Sequence, residues 1–391
     1  MKSKLIYSFL RIILWILLLG IGILIGYMAR LSAEPAQENF ALLDEAHSLL
    51  EDHYLGELPN NLILQRGMIA GMVDKVKDPF TTYVEPASNE LQTDDLSGQF
   101  GGIGARLTRD EAGLVFIIPF PDGPAAQANV SENDPLVAVD KVRLSASMAT
   151  DEIVALIRGP IGSSVLLTFQ SSGLGSDDIT IEIVRIKTEI PSVSSYLMPG
   201  EDRVGIIVLA RFSDKSPEEI KREFFGLMDQ GAQGIILDLR GNSGGLLDSA
   251  IDIARFFLPS GTILTEKEKG GVEHHYEARA LGLGSDIPLS VLINRGTASA
   301  AEIVAAALQD NHRAQLVGEK TFGKGSVQSV LALSDGSSLH VTIARWMTPN
   351  GFSIDGVGIA PDIEVAQIDG QTDATLLTGL EIVVDLIGGA T

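Results

Sequence analysis

The chain has 391 residues, 45% of them hydrophobic, and its 51 acidic and 29 basic side chains give a formal net charge of -22. This length accommodates two or three domains with their own cores, and the apolar fraction is that of a folded protein. The acidic balance argues against direct nucleic-acid binding, which requires a basic surface, and the lack of cysteine excludes disulfides, thiolate catalysis and cysteine-based metal sites.

The N-terminus carries a membrane-insertion signal. Residues 12–29 are an apolar run long enough, at about 1.5 Å per residue, to cross a bilayer as a helix. Three basic residues precede the run and one follows it: Lys2, Lys4, Arg11 and Arg30. This asymmetry places the N-terminus inside. We expect residues 1–30 to be a signal anchor with the remaining chain outside the cytoplasm. The alternative is a cleaved signal peptide that leaves a secreted or periplasmic protein.

Residues 31–90 are predicted to form a linker and a small helical region. Residues 31–38 are polar, and apolar side chains recur at helical spacing over residues 39–57. Residues 62–76 are predicted to form a second helix, since Pro79 stops the regular pattern.

Residues 91–187 have a glycine-rich, β-like composition. Residues 150–158 are predicted to form a helix, and four short apolar runs are predicted to be strands: residues 115–118, 136–139, 165–169 and 179–186. Four strands and one helix over this length resemble a PDZ domain. The likeness puts a carboxylate-binding loop at Gly102, Ile103, Gly104 and Ala105, where glycines expose backbone N–H groups and the next strand pairs with a peptide. Ala105 replaces the bulkier apolar residue common in such loops.

Strands alternate with helices from residue 188 onward, which predicts an α/β domain with buried strands. Strands are expected at residues 204–209, 234–239 and 289–293, and helices at residues 216–230, 246–257 and 300–310. A hairpin is expected over residues 327–346, and residues 261–288 are expected to be a mobile lid or a surface excursion. The predicted fold class is therefore multidomain α/β: an N-terminal anchor, a helical region, a PDZ-like domain, and an α/β core over residues 188–391 with a C-terminal helix.

Ser299 follows the predicted strand at residues 289–293 and precedes the predicted helix at residues 300–310. A serine at such a turn has its hydroxyl at a helix N-terminus, where N–H groups stabilise negative charge. Lys324 lies between two glycines, and Gln328 follows four residues later. A serine and a lysine without an obligatory histidine suggest a Ser–Lys hydrolase. Ser299 and Glu302 also fit the capping-box spacing, in which case Ser299 only caps its helix.

The combined motifs resemble those of the carboxyl-terminal processing proteases, serine peptidases that act outside the cytoplasm. The matching blocks are Asp78-Pro-Phe-Thr-Thr-Tyr83, Gly101-Gly-Ile-Gly104, Ile236-Leu-Asp-Leu-Arg-Gly-Asn-Ser-Gly-Gly245, Thr297-Ala-Ser299-Ala-Ala-Glu302, Thr321-Phe-Gly-Lys324-Gly-Ser-Val-Gln328 and Gly356-Val-Gly-Ile-Ala-Pro-Asp362. They occur in the family order over roughly residues 40 to 385. The resemblance implies that Ser299 is the nucleophile, that Lys324 is its base and that Gln328 orients the lysine.

The same resemblance implies further roles. Backbone N–H groups of Gly244 or Gly245, together with Ala300, are expected to form the oxyanion hole. Arg158 is expected to couple the PDZ domain to the protease, unless it is only a surface arginine that ends its helix. To act as a base, Lys324 needs its pKa lowered by roughly 3 units from about 10.4, normally through burial.

The implied substrates are unfolded or C-terminally tagged polypeptides whose apolar tails bind the PDZ domain. The helical region can mediate homo-oligomerisation, and the membrane is contacted only through the N-terminal helix. No cofactor is expected, and no metal site is expected because the six histidines form no metal-binding motif.

Three other functions fit parts of the sequence. Ser243 lies in a G-x-S-x-G motif and, with His312 or His340 and Asp310, would make a different hydrolase. A PDZ scaffold protein with an inactive protease core is a second alternative. A third is an acyl-CoA enzyme on a similar α/β fold, although the acidic chain has no obvious basic nucleotide site.

Overall fold

The computed structural model describes residues 40–110, 112–145, 148–170, 178–279, 282–366 and 373–389, together with residues 15, 19, 20 and 22. The chain divides into two compact units, Met1–Met68 and Ile69–Thr391. The predicted membrane span, residues 12–29, lies outside the described residues apart from those four positions. Within the described ranges, no helix combines the length and the apolar character needed to cross a bilayer.

Two helices lie where periodicity predicted them, over residues 39–57 and 62–76. Helix α1 is Ala41–His53 and helix α2 is Asn61–Asp74. No side chain of α1 is buried, and several large apolar ones are exposed: Leu42, Leu43, Leu49 and Leu50.

Strand β1, Thr82–Val84, and helix α3, Pro86–Ser97, follow in the second unit. Helix α3 begins at a proline in its first turn and ends at Gly98, which adopts a left-handed conformation. The sequence analysis missed this helix, because its mostly polar residues show no apolar periodicity.

The region predicted to be PDZ-like forms a sheet of its own. Its elements are β2 (Gln99–Gly102), β3 (Ala105–Arg109), β4 (Val115–Pro119), α4 (Pro124–Gln127), β5 (Leu136–Val139), β6 (Val142–Arg143), α5 (Thr150–Ile157), β7 (Ser164–Phe169), β8 (Ile179–Val184) and β9 (Ile186–Glu189). The sheet order is β3-β4-β5-β7-β8, with β6 beside β5, and β2 pairs separately with β9. The four predicted strands and the helix are confirmed, whereas no bounds had been predicted for β2, β3 and β6.

The α/β core is a six-stranded sheet in the order β10-β11-β12-β15-β16-β19, parallel from β11 onward. Its strands are β10 (Val193–Met198), β11 (Glu201–Leu209), β12 (Gly234–Asp238), β15 (Leu289–Ile293), β16 (Gln315–Gly318) and β19 (Ile363–Glu364). Helices α6 (Ser216–Asp229), α7 (Leu247–Phe257) and α8 (Ala300–Asp310) pack on one face. Helix α9 (Ala374–Gly389) packs on the other through Val383 and Ile387. The predicted strand–helix alternation is confirmed.

A second sheet of the core contains β13 (Thr262–Glu268), β14 (Glu273–Glu277), β17 (Ser326–Ala332) and β18 (Ser338–Met347). Strands β17 and β18 form the predicted hairpin, and β18 also pairs with β1 and β13. The expectation of a lid or a surface excursion over residues 261–288 is wrong for its first half. Strands β13 and β14 belong to this sheet, and Ile263 and Leu264 are buried in the main core.

A three-residue ionic cluster connects helix α9 to the α/β sheet. The guanidinium of Arg240 donates to the Asp238 carboxylate at the end of β12 and, at 2.9 Å, to both carboxylate oxygens of Asp373. Asp373 in turn accepts the N–H of Leu376 at the start of α9. This arginine lies directly before the glycine-rich loop at residues 241–245, so the cluster fixes both that loop and α9.

Candidate active site

Ser299 occupies the turn between β15 and α8. Its backbone angles are φ 55° and ψ -120°, a combination that non-glycine residues rarely adopt and that is concentrated at functional sites. The side chain is half-buried. A Cβ atom on Gly244 would lie 2.8 Å from the Cβ of Ser299, so only glycine fits at that position. The turn therefore places the Ser299 hydroxyl directly beside the glycine-rich loop.

The hydroxyl of Ser299 does not cap helix α8. One half of the capping box is present, since the Ser299 N–H donates to Oε2 of Glu302 at 2.8 Å. The other half is missing: within the part of the chain that the structure describes, the hydroxyl accepts no capping hydrogen bond. The hydroxyl is therefore not committed to holding the helix end.

The carboxylate of Glu302, which is fully buried, connects the Ser299 turn to the loop that contains Lys324. Its Oε2 accepts the N–H groups of Ser299 at 2.8 Å and of Lys324 at 2.9 Å. Its Oε1 accepts the N–H of Gly323 at 2.7 Å and the hydroxyl of Thr321 at 2.5 Å. One side chain thus fixes the backbone of both residues that the sequence motifs had paired.

Lys324 donates from its Nζ to the side-chain oxygen of Gln328. The Nζ also lies 5.3 Å from the centre of the Phe80 ring. Burial of the amine lowers the pKa of Lys324 below its usual range, while the negative charge of Asp78 opposes this shift. The site therefore makes it easier for this amine to lose its proton than for a lysine in water.

The turn at residues 78–81 positions Gln328. The carboxylate of Asp78 accepts the Phe80 N–H at 3.2 Å and the Thr81 hydroxyl at 2.6 Å. The Gln328 side-chain amide donates to the carbonyl oxygen of Phe80, 248 positions away in sequence. This segment, Asp78 to Tyr83, matched a family motif in the sequence but had no predicted role. The Asp-Pro-Phe-Thr motif therefore forms a turn that holds Gln328, which is the hydrogen-bond partner of Lys324.

The glycine-rich loop contains the predicted oxyanion donors, and one of them is already engaged. The Gly244 N–H donates at 2.8 Å to the side-chain oxygen of Asn242, which is fully buried. For the N–H groups of Gly245 and Ala300, no hydrogen-bond partner is found among the described residues. Of the two glycines predicted as alternative donors, Gly244 has its N–H engaged by Asn242, whereas the N–H of Gly245 remains available for the predicted role. Asn242, which also donates to the Leu209 carbonyl at 2.7 Å, was missed as the residue that shapes this loop.

The alternative serine, Ser243, is exposed, and its backbone lacks the strained conformation found at Ser299. Among the described residues, no hydrogen bond joins Ser243 to His312 or to His340. Burial lowers the pKa of His340 below its usual value, and Lys324, when it is protonated, lowers it further. The described residues therefore give Ser243 no hydrogen-bonded histidine partner, and the Ser243 hydrolase stays an alternative to be tested by mutation.

A cleft of about 990 Å³ borders the Lys324 loop. Its walls include Phe80, Phe322 and Gly323 on the side of that loop, and Leu339 and Val341 from β18. The cleft is mainly apolar, and its position gives an extended chain access to the loop.

A second concave site lies in the sheet that contains β3. It is an apolar groove of about 210 Å³ with these lining residues: Phe100, Gly102, Ile103, Gly104, Ala105, Leu107, Phe120, Val154, Ile157, Arg158 and Thr188. Among the described strands, β3 pairs only with β4, which leaves its other edge without a strand partner there.

Arg158 follows the last residue of helix α5, and its side chain contacts strand β2 and helix α3. Its backbone N–H donates to Val154 at the helix end. Its guanidinium lies 3.8 Å from the centre of the Phe100 ring and 3.3 Å from the Asp94 carboxylate on α3. Arg158 therefore lies at the helix end, as one alternative from the sequence expected, and its coupling role stays a prediction.

Comparison with known proteins identifies relatives over most of the chain. Residues 203–365 match Peptidase family S41. The carboxyl-terminal-processing protease of Synechocystis sp. is 35% identical over 368 residues, which cover 90% of this chain and 84% of that protein. The carboxy-terminal processing protease CtpA of Bacillus subtilis is 33% identical over 334 residues, with coverages of 85% and 70%. The solved structure of a photosystem II D1 C-terminal processing protease is 32% identical, covering 88% of this chain and 90% of that one, with a TM-score of 0.49.

The relatives from Synechocystis sp. and Bacillus subtilis are both named as carboxyl-terminal processing proteases. Their alignments cover more of this chain than the residues that match the family. The resemblance inferred from the ordered motifs is confirmed. The chain belongs to peptidase family S41, among the carboxyl-terminal processing serine proteases.

Proposed function

We propose that this protein is an extracytoplasmic endopeptidase that cleaves peptide bonds with a Ser299–Lys324 dyad oriented by Gln328. The observation that carries the proposal is the half-buried Lys324 amine, which is hydrogen-bonded to Gln328 and has a lowered pKa. The Glu302 carboxylate fixes the lysine's backbone together with that of Ser299.

The chemistry starts from neutral Lys324, which accepts the proton of the Ser299 hydroxyl as the oxygen attacks a substrate carbonyl. The tetrahedral oxyanion accepts hydrogen bonds from the N–H groups of Gly245 and Ala300, each worth about 10²–10³ in rate in comparable enzymes. Protonated Lys324 then gives its proton to the leaving amine, and the peptide C–N bond breaks. Water attacks the resulting acyl-enzyme with Lys324 again as base, which releases the acid and restores the serine.

The groove beside β3 is the proposed PDZ site for the C-terminal tail of a substrate. An extended tail pairs with the open edge of β3, and its carboxylate faces Gly102, Ile103, Gly104 and Ala105. The segment upstream of the tail then enters the cleft that borders the Lys324 loop. Arg158, between the groove and α3, is the proposed contact through which tail binding reaches the protease.

The proposed location is the outer face of a cell membrane. The apolar run at residues 12–29 and the basic residues before it support a single-pass anchor, and a secreted or periplasmic form after signal cleavage is the alternative. The exposed apolar side chains of α1 support homo-oligomerisation through the helical region.

Cleavage of an unfolded protein with an apolar C-terminus, by a soluble chain lacking residues 1–30, tests the proposed chemistry. Wild type, Ser299→Ala and Ser243→Ala are compared at equal concentration. We expect cleavage by wild type and Ser243→Ala, and none by Ser299→Ala. Loss of activity only in Ser243→Ala would favour the alternative hydrolase. If wild type binds the tail without cleaving, the protein is better described as a PDZ scaffold.

The pH dependence tests whether burial activates Lys324. Replacing Phe80 by alanine admits water to the amine, so the pKa of Lys324 should rise towards its usual value and activity should appear only at higher pH. Loss of the aromatic ring also removes a cation–π contact worth about 0.5–1 kcal/mol, which acts in the opposite direction. Burial shifts pKa values by up to about 3–5 units and should dominate.

The measurement is kcat/KM against pH, from which the pKa of the essential base is obtained. Phe352→Ala removes an aromatic ring that is 68% exposed and serves as the control, for which we expect an unchanged profile. An unchanged profile for Phe80→Ala would show that the ring does not help keep the amine neutral.

A further inference from the structure

The groove beside β3 ends in a pocket with an apolar floor. Ala105 and Leu107 alternate along β3, so their side chains are on the same face of the strand, and both pack against the buried cluster of this sheet. Val154 and Ile157 of α5 line the opposite wall, and Ile103, only 3% exposed, closes the end. A side chain that enters here contacts carbon atoms on several sides.

The polar end of the groove is suited to a carboxylate. No partner is found among the described residues for the N–H groups of Ile103 and Gly104. Gly104 has φ 66°, and a Cβ there would lie 2.9 Å from Cδ of Pro124, so the turn requires glycine. Arg158 is the one charged residue among those that line the groove, and no carboxylate lines it. Because Arg158 is already paired with Asp94, the two N–H groups are the feature that suits an anion, and no lining carboxylate repels it.

The volume of the groove determines the size of the side chain that it accepts. At about 210 Å³ it exceeds the roughly 150 Å³ of an engineered apolar cavity that holds a benzene molecule. Part of this space exists because residue 105 is alanine, whose methyl group is the smallest apolar side chain. A tail that ends in alanine would leave most of the pocket without contacts, and unfilled apolar space forfeits dispersion and hydrophobic energy.

We propose that the groove selects polypeptides whose C-terminal residue is large and apolar, phenylalanine or leucine, with Ala105 as the residue that sets this preference. This inference rests on the proposed function, because it assumes that the groove binds substrate tails. It adds the class of the terminal residue, which tail recognition alone leaves open.

Binding of a matched peptide series tests the inference directly. Four fluorescent peptides share one sequence and end in phenylalanine, leucine, valine or alanine with a free carboxylate. A fifth ends in phenylalanine carboxamide. Their Kd values are measured by fluorescence anisotropy on the Ser299→Ala chain, which holds peptides without cleaving them. We expect the phenylalanine and leucine peptides to bind at least about tenfold more tightly than the alanine peptide, since pocket contacts of one methylene already discriminate by about 10–200-fold.

Two variants in the Ser299→Ala background test whether Ala105 sets the preference for a large C-terminal residue. Ala105→Leu fills the pocket, so the phenylalanine peptide should weaken by about tenfold or more while the alanine peptide changes little. Thr108→Leu makes a comparable change on the solvent face of the same strand and should leave the order of affinities unchanged. Thermal melting of each variant shows whether the sheet remains folded. The peptide series itself is measured on the Ser299→Ala chain, whose groove is unchanged, so it does not depend on the folding of either groove variant.

The outcomes separate this inference from the proposed function. Equal binding of all four carboxylate peptides would overturn the size preference and leave tail recognition intact. Tightest binding of the alanine peptide would also overturn it. If no peptide binds, the PDZ part of the proposed function fails. If the carboxamide binds as well as its acid, the capture of a terminal carboxylate is wrong.

Discussion

Replacing Lys324 by arginine is expected to lower kcat/KM for peptide hydrolysis by about 10²- to 10⁴-fold, the range that a general base typically contributes. Arginine keeps the positive charge and donor groups of lysine but cannot lose its proton inside a protein. It therefore cannot accept the proton of Ser299. Because a nucleophile and its base act as a unit, the loss should approach that of removing the serine hydroxyl.

Lys320→Arg is the matched control for this variant. Lys320 is exposed on the same loop, four residues before Lys324, so its replacement should leave hydrolysis unchanged. Hydrolysis is measured on a peptide substrate together with tail-peptide affinity, which neither variant should alter. If Lys324→Arg hydrolyses peptides at the wild-type rate, Lys324 is not the base.

Replacing Glu302 by glutamine is expected to lower kcat/KM by about 10²-fold, the cost of displacing catalytic groups by about 1 Å. Four donors converge on this carboxylate, from Ser299, Thr321, Gly323 and Lys324. Glutamine has one oxygen acceptor and turns an NH₂ group towards donors that need an acceptor. Each buried donor left unpaired costs about 1–3 kcal/mol, so the Ser299 turn and the Lys324 loop should separate.

Glu319→Gln provides the same chemical change nearby. The Glu319 carboxylate contacts Arg295, whose side chain is 85% exposed, and this variant should keep full activity. The readouts are thermal stability, kcat/KM against pH, and tail-peptide affinity. A displaced Lys324 regains water, so the pH profile of Glu302→Gln should move to higher pH, which simple loss of folded protein would not cause. Wild-type turnover with an unchanged profile would show that the carboxylate is not needed to align the two residues.

The sequence predicted residues whose signals are local, such as Ser299 at a strand–helix turn and the hairpin that carries Gln328. It missed functional contacts that join distant segments. Glu302 fits a local capping box, and nothing in its spacing indicates that it also binds Thr321, 19 residues later. The contact of Gln328 with Phe80 spans 248 positions. Such pairs arise only when strands β17 and β18 bring β1 and the turn before it next to the lysine loop.

The bounds of strand β3 were not predicted, for a different reason. Three of its five residues are polar, namely Arg106, Thr108 and Arg109, so apolar side chains occur only at two positions of a short segment. That composition is typical of an edge strand with one solvated face, which periodicity detects poorly. The same openness is what makes this edge available to a peptide.

Helix α9 has a consequence for the order in which the enzyme is made. Its residues Val383 and Ile387 cover the face of the α/β sheet opposite α8, packing with Val204, Ile236 and Leu292. This face stays uncovered until α9 has been synthesised as far as Gly389, 61 residues after Gln328 (389 minus 328), which takes roughly 3–12 seconds at translation rates of about 5–20 residues per second. Arg240 likewise lacks its Asp373 partner for most of that interval. Every residue of the proposed site is therefore synthesised before the sheet that supports it is complete, and translation delays the assembly of an active protease.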